Sequence, residues 1–147
     1  MERVLLNELG TLVHRVLDSL PQKDTATIVA LKGELGAGKT TFVQALAKEL
    51  GVRNVVQSPT YVLMKKYQIP NSKFQTLIHI DAYRLEKPEE FAALKPSTFL
   101  SDAKNLVCIE WPERVGGVFP TPDIVINFSS EGAGEGERHI SIINYPE

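Results

Sequence analysis

Residues Gly33-Glu-Leu-Gly-Ala-Gly-Lys-Thr40 spell G-x-x-x-x-G-K-T, and they follow directly on the apolar, β-branched run Thr25–Leu31. The next stretch, Lys39–Leu50, reads as a helix stopped by Gly51. Strand, glycine-rich bend and helix in this order leave few folds open. Such a loop leaves a buried strand, curls its backbone N–H groups around anionic oxygens, and enters a helix whose N-terminus attracts negative charge. The predicted ligand is a nucleoside triphosphate, cradled by Gly36, Ala37, Gly38, Lys39, Thr40 and Thr41.

A chain of 147 residues is expected to form one domain, 1–147, burying roughly 70% of its unfolded surface. Its apolar content of 43% and charged content of 23% are those of an ordinary globular protein. No apolar run approaches the roughly 18 residues that span a bilayer, and Met1–Leu6 lacks the pattern of a signal peptide, so a cytoplasmic location is expected. The single cysteine, Cys108, lies in the run Leu106–Ile109 and is expected to be a small buried thiol. A net charge of −2 argues against a protein that grips nucleic acid on its own, because such proteins carry a basic face.

The remaining chain alternates helix and strand. A helix capped by Asn7 is expected to run to about Leu20, followed by strand Thr25–Leu31 and helix Lys39–Leu50. Val52–Gln57 reads as a short extended piece, and Tyr61–Ile69 and Phe74–Ile80 as a hairpin across Pro70–Ser72. Lys87–Leu94 and Ser97–Ala103 read as short helices, each with a proline near its start. Leu106–Glu110, Ile124–Phe128 and His139–Ile143 complete the strands, the last two joined by the flexible turn Ser129–Gly136. The expected fold is a three-layer α/β, P-loop NTPase-like domain with a mostly parallel central sheet plus antiparallel hairpin strands.

A phosphate loop of this kind works with magnesium, which bridges the β- and γ-oxygens. Thr40 is the expected first protein ligand. The second should be an acid at the end of a neighbouring buried strand, and two segments compete: Leu106-Val-Cys-Ile-Glu110 and Leu77-Ile-His-Ile-Asp81. The first is the more continuously apolar, as an interior parallel strand should be, so Glu110 is assigned to the metal. Asp81 is assigned to the attacking water or the outer metal shell. Thr60, in Ser58-Pro-Thr-Tyr61, can reach the metal or γ-phosphate from its turn. Arg84 can neutralise transition-state charge, Trp111 sets a large ring beside the metal ligand, and His79 reads as a hydrogen-bonded structural histidine.

Four segments in order resemble the TsaE family, the small P-loop ATPase of bacterial tRNA threonylcarbamoyladenosine (t6A) biosynthesis. They are Gly33–Thr41, Ser58–Tyr61, His79-Ile-Asp-Ala-Tyr-Arg-Leu85 and Glu110-Trp-Pro-Glu113. The combination of H-x-D-x-Y-R with E-W-P carries the resemblance, since the first segment is common to many NTPases. The resemblance implies that Lys39 holds the β/γ-phosphates, that Thr40 and Glu110 hold magnesium, and that Thr60 acts as a switch. It implies that Asp81 and Trp111 are needed for turnover and places Thr11 near the adenine. It further implies partners similar to TsaD and TsaB, which would carry the transferase site and most of the tRNA contact. Ala82 and Lys95-Pro96 depart from the family pattern, the latter replacing a glycine turn.

The function expected is therefore a magnesium-dependent ATPase, slow alone and stimulated by its partners, that drives turnover of a tRNA-modifying complex. The alternative is a small-molecule or nucleotide kinase using the same loop. Such kinases add an arginine-rich lid, and the six arginines here are not clustered. Neither a D-x-x-G nor an N-K-x-D motif is present, which argues for adenine over guanine.

Overall fold

The computed structural model describes residues 2–5, 8–34, 38–53, 64–70, 72–83, 85–115, 119–129 and 137–144. Its spine is a seven-stranded sheet in the order β1-β7-β6-β2-β5-β4-β3. The strands are β1 (Glu2–Leu5), β2 (Thr27–Lys32), β3 (Met64–Gln68), β4 (Thr76–Asp81), β5 (Asn105–Glu110), β6 (Ile124–Ser129) and β7 (Glu137–Asn144). The four central strands, β6, β2, β5 and β4, run parallel. Antiparallel partners close both sides: β3 against β4 on one, β7 and then β1 beyond β6 on the other. This is the expected fold class, a mostly parallel centre with antiparallel hairpin strands.

Burial explains the arrangement. Every residue of β5 is buried, as are the first five of β2, because both faces of the central sheet are covered. Helices α1 (Leu9–Asp18) and α2 (Lys39–Glu49) cover one face. There Leu12, Val13 and Val16 of α1 and Phe42, Val43 and Leu46 of α2 pack against Val29, Leu31, Leu106 and Cys108. Phe42 meets Phe128 of β6 edge-on, with ring centroids 5.8 Å apart. A buried phenylalanine of this kind contributes about 3–5 kcal/mol against alanine. The short helices α3 (Glu89–Ala92) and α4 (Ser97–Leu100) send Phe91 and Phe99 into the opposite face, onto Ile28, Ile78, Ile80, Val107 and Ile109. Cys108 is fully buried, and that burial pushes its thiol pKa well above the ordinary value.

Strand β2 lies between β5 and β6: after β2 the chain goes out to the β3 edge, returns through β4 to β5 on one side of β2, and then crosses to β6 on the other, both neighbours running parallel to β2. The loop leaving β2 therefore opens at the point where the strand order reverses, the usual crevice for ligands in open α/β sheets.

The structure differs from the sequence reading at several boundaries. Strand β1 was not anticipated: four residues carry no periodicity by themselves, and only pairing with β7 makes them a strand. Helix α1 is shorter than expected, with Glu8 at its N-cap making no side-chain cap, while Asn7 lies outside the described residues. Val52 and Arg53 are not in a strand, and 54–63 lie outside the described residues. Both short helices are single turns that begin after Pro88 and Pro96, at the boundaries proline sets. Their expected ends, Leu94 and Ala103, are turns. Lys95 adopts φ +51°, the left-handed conformation that a glycine would take more easily. Among the described residues no helix is long and apolar enough to cross a membrane.

Candidate functional site

The site forms where β2, β4 and β5 end beneath the start of α2. Gly33 and Gly38 bracket the loop with φ of +146° and +108°. At Gly33 a Cβ would lie 2.4 Å from the backbone oxygen of Phe128, so the turn out of β2 leaves no room for a side chain. Gly38 is the N-cap of α2, and its left-handed backbone turns the chain into the helix. Gly36 and Ala37 lie outside the described residues.

Lys39, the first residue of α2, is only 4% exposed. Its ammonium donates to the backbone oxygen of Gly33 and, at 2.9 Å, to that of Glu34. It also stands over the ring of Trp111, 4.4 Å from the centroid, a cation–π contact. Burial lowers the pKa of Lys39 below the ordinary lysine value, against the opposing pull of Glu110, Asp81, Glu34 and Glu113. A desolvated ammonium among carboxylates is a site that gains from a phosphate yet carries surplus negative charge.

Thr40 points at the end of β5. Its hydroxyl donates to both oxygens of Glu110, at 3.1 and 3.3 Å. Glu110 is 3% exposed, and its second contact comes from His79 Nε2, 2.5 Å from Oε2. Asp81 stands level with Glu110 on the adjacent strand and accepts a hydrogen bond from the Tyr83 backbone N–H at 3.0 Å. Thr41, the next residue of α2, is exposed.

After Glu110 the chain turns sharply. Trp111 holds φ +60° and ψ +51°, a left-handed conformation that costs a non-glycine residue about 1–2 kcal/mol. Its backbone N–H donates to Leu31 at 3.3 Å, and Pro112–Arg114 forms a single 3₁₀ turn behind it. The ring packs against Tyr83 at 5.1 Å, and the Arg114 guanidinium lies 5.4 Å from the Tyr83 ring. This places Trp111 between the loop lysine and the segment that follows Asp81.

Of the residues chosen from sequence, Lys39, Thr40, Glu110, Asp81 and Trp111 thus converge at one end of the sheet. Thr60 and Arg84 lie outside the described residues, and Thr11 is an exposed residue of α1. The donor set suits magnesium: a hydroxyl and a carboxylate are hard oxygen ligands, and this ion normally completes its shell with water and substrate phosphate. Among the described residues no group of three or more histidine, cysteine, aspartate or glutamate side chains could hold a metal unaided. The sequence reading gave His79 a structural role only. The available signal was its position two residues before Asp81, which puts both on the same face of β4.

The TsaE family profile, described as "Threonylcarbamoyl adenosine biosynthesis protein TsaE", matches residues 6–140. The tRNA threonylcarbamoyladenosine biosynthesis protein TsaE of Treponema pallidum is 33% identical over 90% of this chain and 89% of its own length. The protein of the same name from Haemophilus influenzae is 36% identical over 71% of this chain, a match that spans 63% of that relative. Among solved structures, Bacillus subtilis YdiB superposes with a TM-score of 0.68 over 99% of this chain and 84% of its own, at 23% identity, which supports the fold. On the profile match and the Treponema relative together, the chain belongs to the TsaE family.

Proposed function

We propose that this protein binds ATP with magnesium and hydrolyses it slowly, in support of tRNA threonylcarbamoyladenosine formation by a partner transferase complex. The observation that carries the reading is the meeting of Thr40 and Glu110 beside a buried Lys39. Four carboxylates act on Lys39. A polyphosphate entering this field needs both the ammonium and a divalent ion to offset its charge. Thr40 and Glu110 would hold that ion, which would supply the positive charge the ammonium alone does not.

The chain's own residues divide the remaining work. The backbone from Gly36 to Thr41 cradles the phosphates, helped by the α2 N-terminus. Lys39 exchanges carbonyl partners for β- and γ-oxygens, and Thr40 and Glu110 offer their oxygens to the metal. Asp81 orients the attacking water, Thr60 senses the γ-phosphate, and Arg84 offsets charge as it develops. Trp111 holds the lysine through its ring face.

The pathway named by the relatives supplies the context. A pI near 5.9 supports the view that TsaD-like and TsaB-like partners hold the tRNA. The proposed location is the cytoplasm. The test is release of labelled phosphate from γ-labelled ATP by the purified protein, alone and with those partners. Slow release, raised by the partners and dependent on magnesium, is the expected result. Label passing to an acceptor other than water would instead establish a kinase, and no release under either condition would refute the reading.

A further inference from the structure

His79 is a costly residue for the place it occupies. It is fully buried in β4, an interior strand flanked by β3 and β5, with Leu77, Ile78 and Ile80 equally enclosed. Its Nδ1 has no hydrogen-bond partner among the described residues. An unsatisfied buried polar atom costs about 1–3 kcal/mol, which a leucine at this position would avoid. Packing therefore does not explain the imidazole.

The other ring nitrogen does. Nε2 lies 2.5 Å from Oε2 of Glu110, a contact in which the imidazole N–H can donate to the carboxylate oxygen. In register His79 stands opposite Cys108, one pleat back from the pair Asp81 and Glu110, so the ring reaches forward along the shared face to the carboxylate. Glu110 is thereby held from two sides, by a rigid strand beneath and by the Thr40 hydroxyl in front. Charge-assisted bonds of this type are short and directional.

We propose that His79 is a positioning residue that fixes the Glu110 carboxylate toward Thr40, so that the metal arriving with the nucleotide meets a preset pair of oxygens. This rests on the ATP–magnesium reading above. Outer partners that orient a ligating carboxylate are worth about 10–100-fold in metal affinity. His79 touches neither nucleotide nor metal, and its effect is confined to the magnesium-dependent part of binding.

The test is calorimetric titration of the whole chain with ADP, with and without magnesium, taking the ratio of affinities as the magnesium gain. His79→Leu is expected to lose roughly tenfold of that gain while its metal-free ADP affinity stays at the wild-type value. His79→Gln, whose amide nitrogen can donate from near the position of Nε2, is expected to retain it. Should His79→Leu fail to fold, His79→Asn, whose amide is too short to reach Glu110, takes its place with the same expected loss. A wild-type gain in the leucine or asparagine variant, or an equal loss in the glutamine variant, would overturn the positioning role. A wild-type protein that gains nothing from magnesium would instead overturn the ATP–magnesium reading itself, and the positioning role with it.

Discussion

The two ends of the central sheet each bury a carboxylate near a lysine, and they use the pair in opposite ways. At the amino end Asp123, 8% exposed, accepts from the Ile28 backbone N–H at 2.8 Å and from Lys23 at 3.0 Å, while Lys23 also donates to the Ala26 backbone oxygen. Each group there satisfies another, and the cluster ties β6 to β2. At the carboxyl end Glu110 and Lys39 are equally buried but do not bond one another. The acid bonds Thr40 and His79, and the lysine turns to loop carbonyls and the Trp111 ring. A closed pair holds strands together, whereas a divided pair leaves the lysine able to exchange its partners for a ligand. Residue type alone does not separate these roles; the geometry of the contacts does.

The strongest way to break the contrast is at Gly33. Gly33→Ala drives a Cβ to within 2.4 Å of the Phe128 carbonyl oxygen, backbone against backbone. A stability loss of about 4 kcal/mol is expected, read from the urea midpoint, with loss of nucleotide binding as the loop shifts. Asp123→Ala comes next. It leaves the Ile28 N–H and the Lys23 ammonium without their shared acceptor, for an expected loss of about 3 kcal/mol with ATP affinity preserved in the folded fraction. A stable variant, or one that binds ATP weakly, would erase the distinction between the two ends.

The pH dependence of stability sharpens the same contrast. Burial lowers the Lys39 pKa below the value of 10.5 it has in the unfolded chain. The unfolded chain therefore holds a proton that the native state has already shed between the lowered pKa and 10.5, and stability rises with pH across that window. Below the window the cost of burying the charge is felt in full. Lys39→Met is thus expected to be more stable than wild type at neutral pH, with the advantage shrinking as pH climbs toward 10.5. A difference independent of pH would show that the ammonium carries no burial cost. The smallest effect belongs to Lys95, away from both ends. Relief of its left-handed φ of +51° in Lys95→Gly should add about 0.5–1 kcal/mol, seen as a small rise in melting temperature.

Much of this was written in local pattern. The order of β2, loop and α2 follows from one glycine-rich segment between a β-branched run and an amphipathic one. The apolar run ending in Glu110 marked an interior strand, and β5 is buried throughout. Strand β1 was illegible because its pairing is with residues near the other end of the chain. The tie from His79 to Glu110 was hidden for a related reason: it depends on the register of β4 against β5, which no single segment encodes. Lys23 and Asp123, 100 residues apart, could not be matched without the fold that brings them together. The left-handed backbone at Trp111 had no local signal, since a following proline favours extended backbone in the residue before it; it is seen only with the bond from its N–H to the Leu31 oxygen.

The measurement that bears most directly on the divided pair is ATP affinity in the presence of magnesium for Lys39→Ala beside Lys23→Ala. Each lysine stands near a buried acid, but only Lys39 borders the proposed phosphate loop. Lys39→Ala should bind ATP about tenfold to a hundredfold more weakly, the worth of one charge-assisted bond, while Lys23→Ala binds as wild type does. Equal affinities in the two variants, or wild-type binding by Lys39→Ala, would contradict a phosphate role for Lys39 alone.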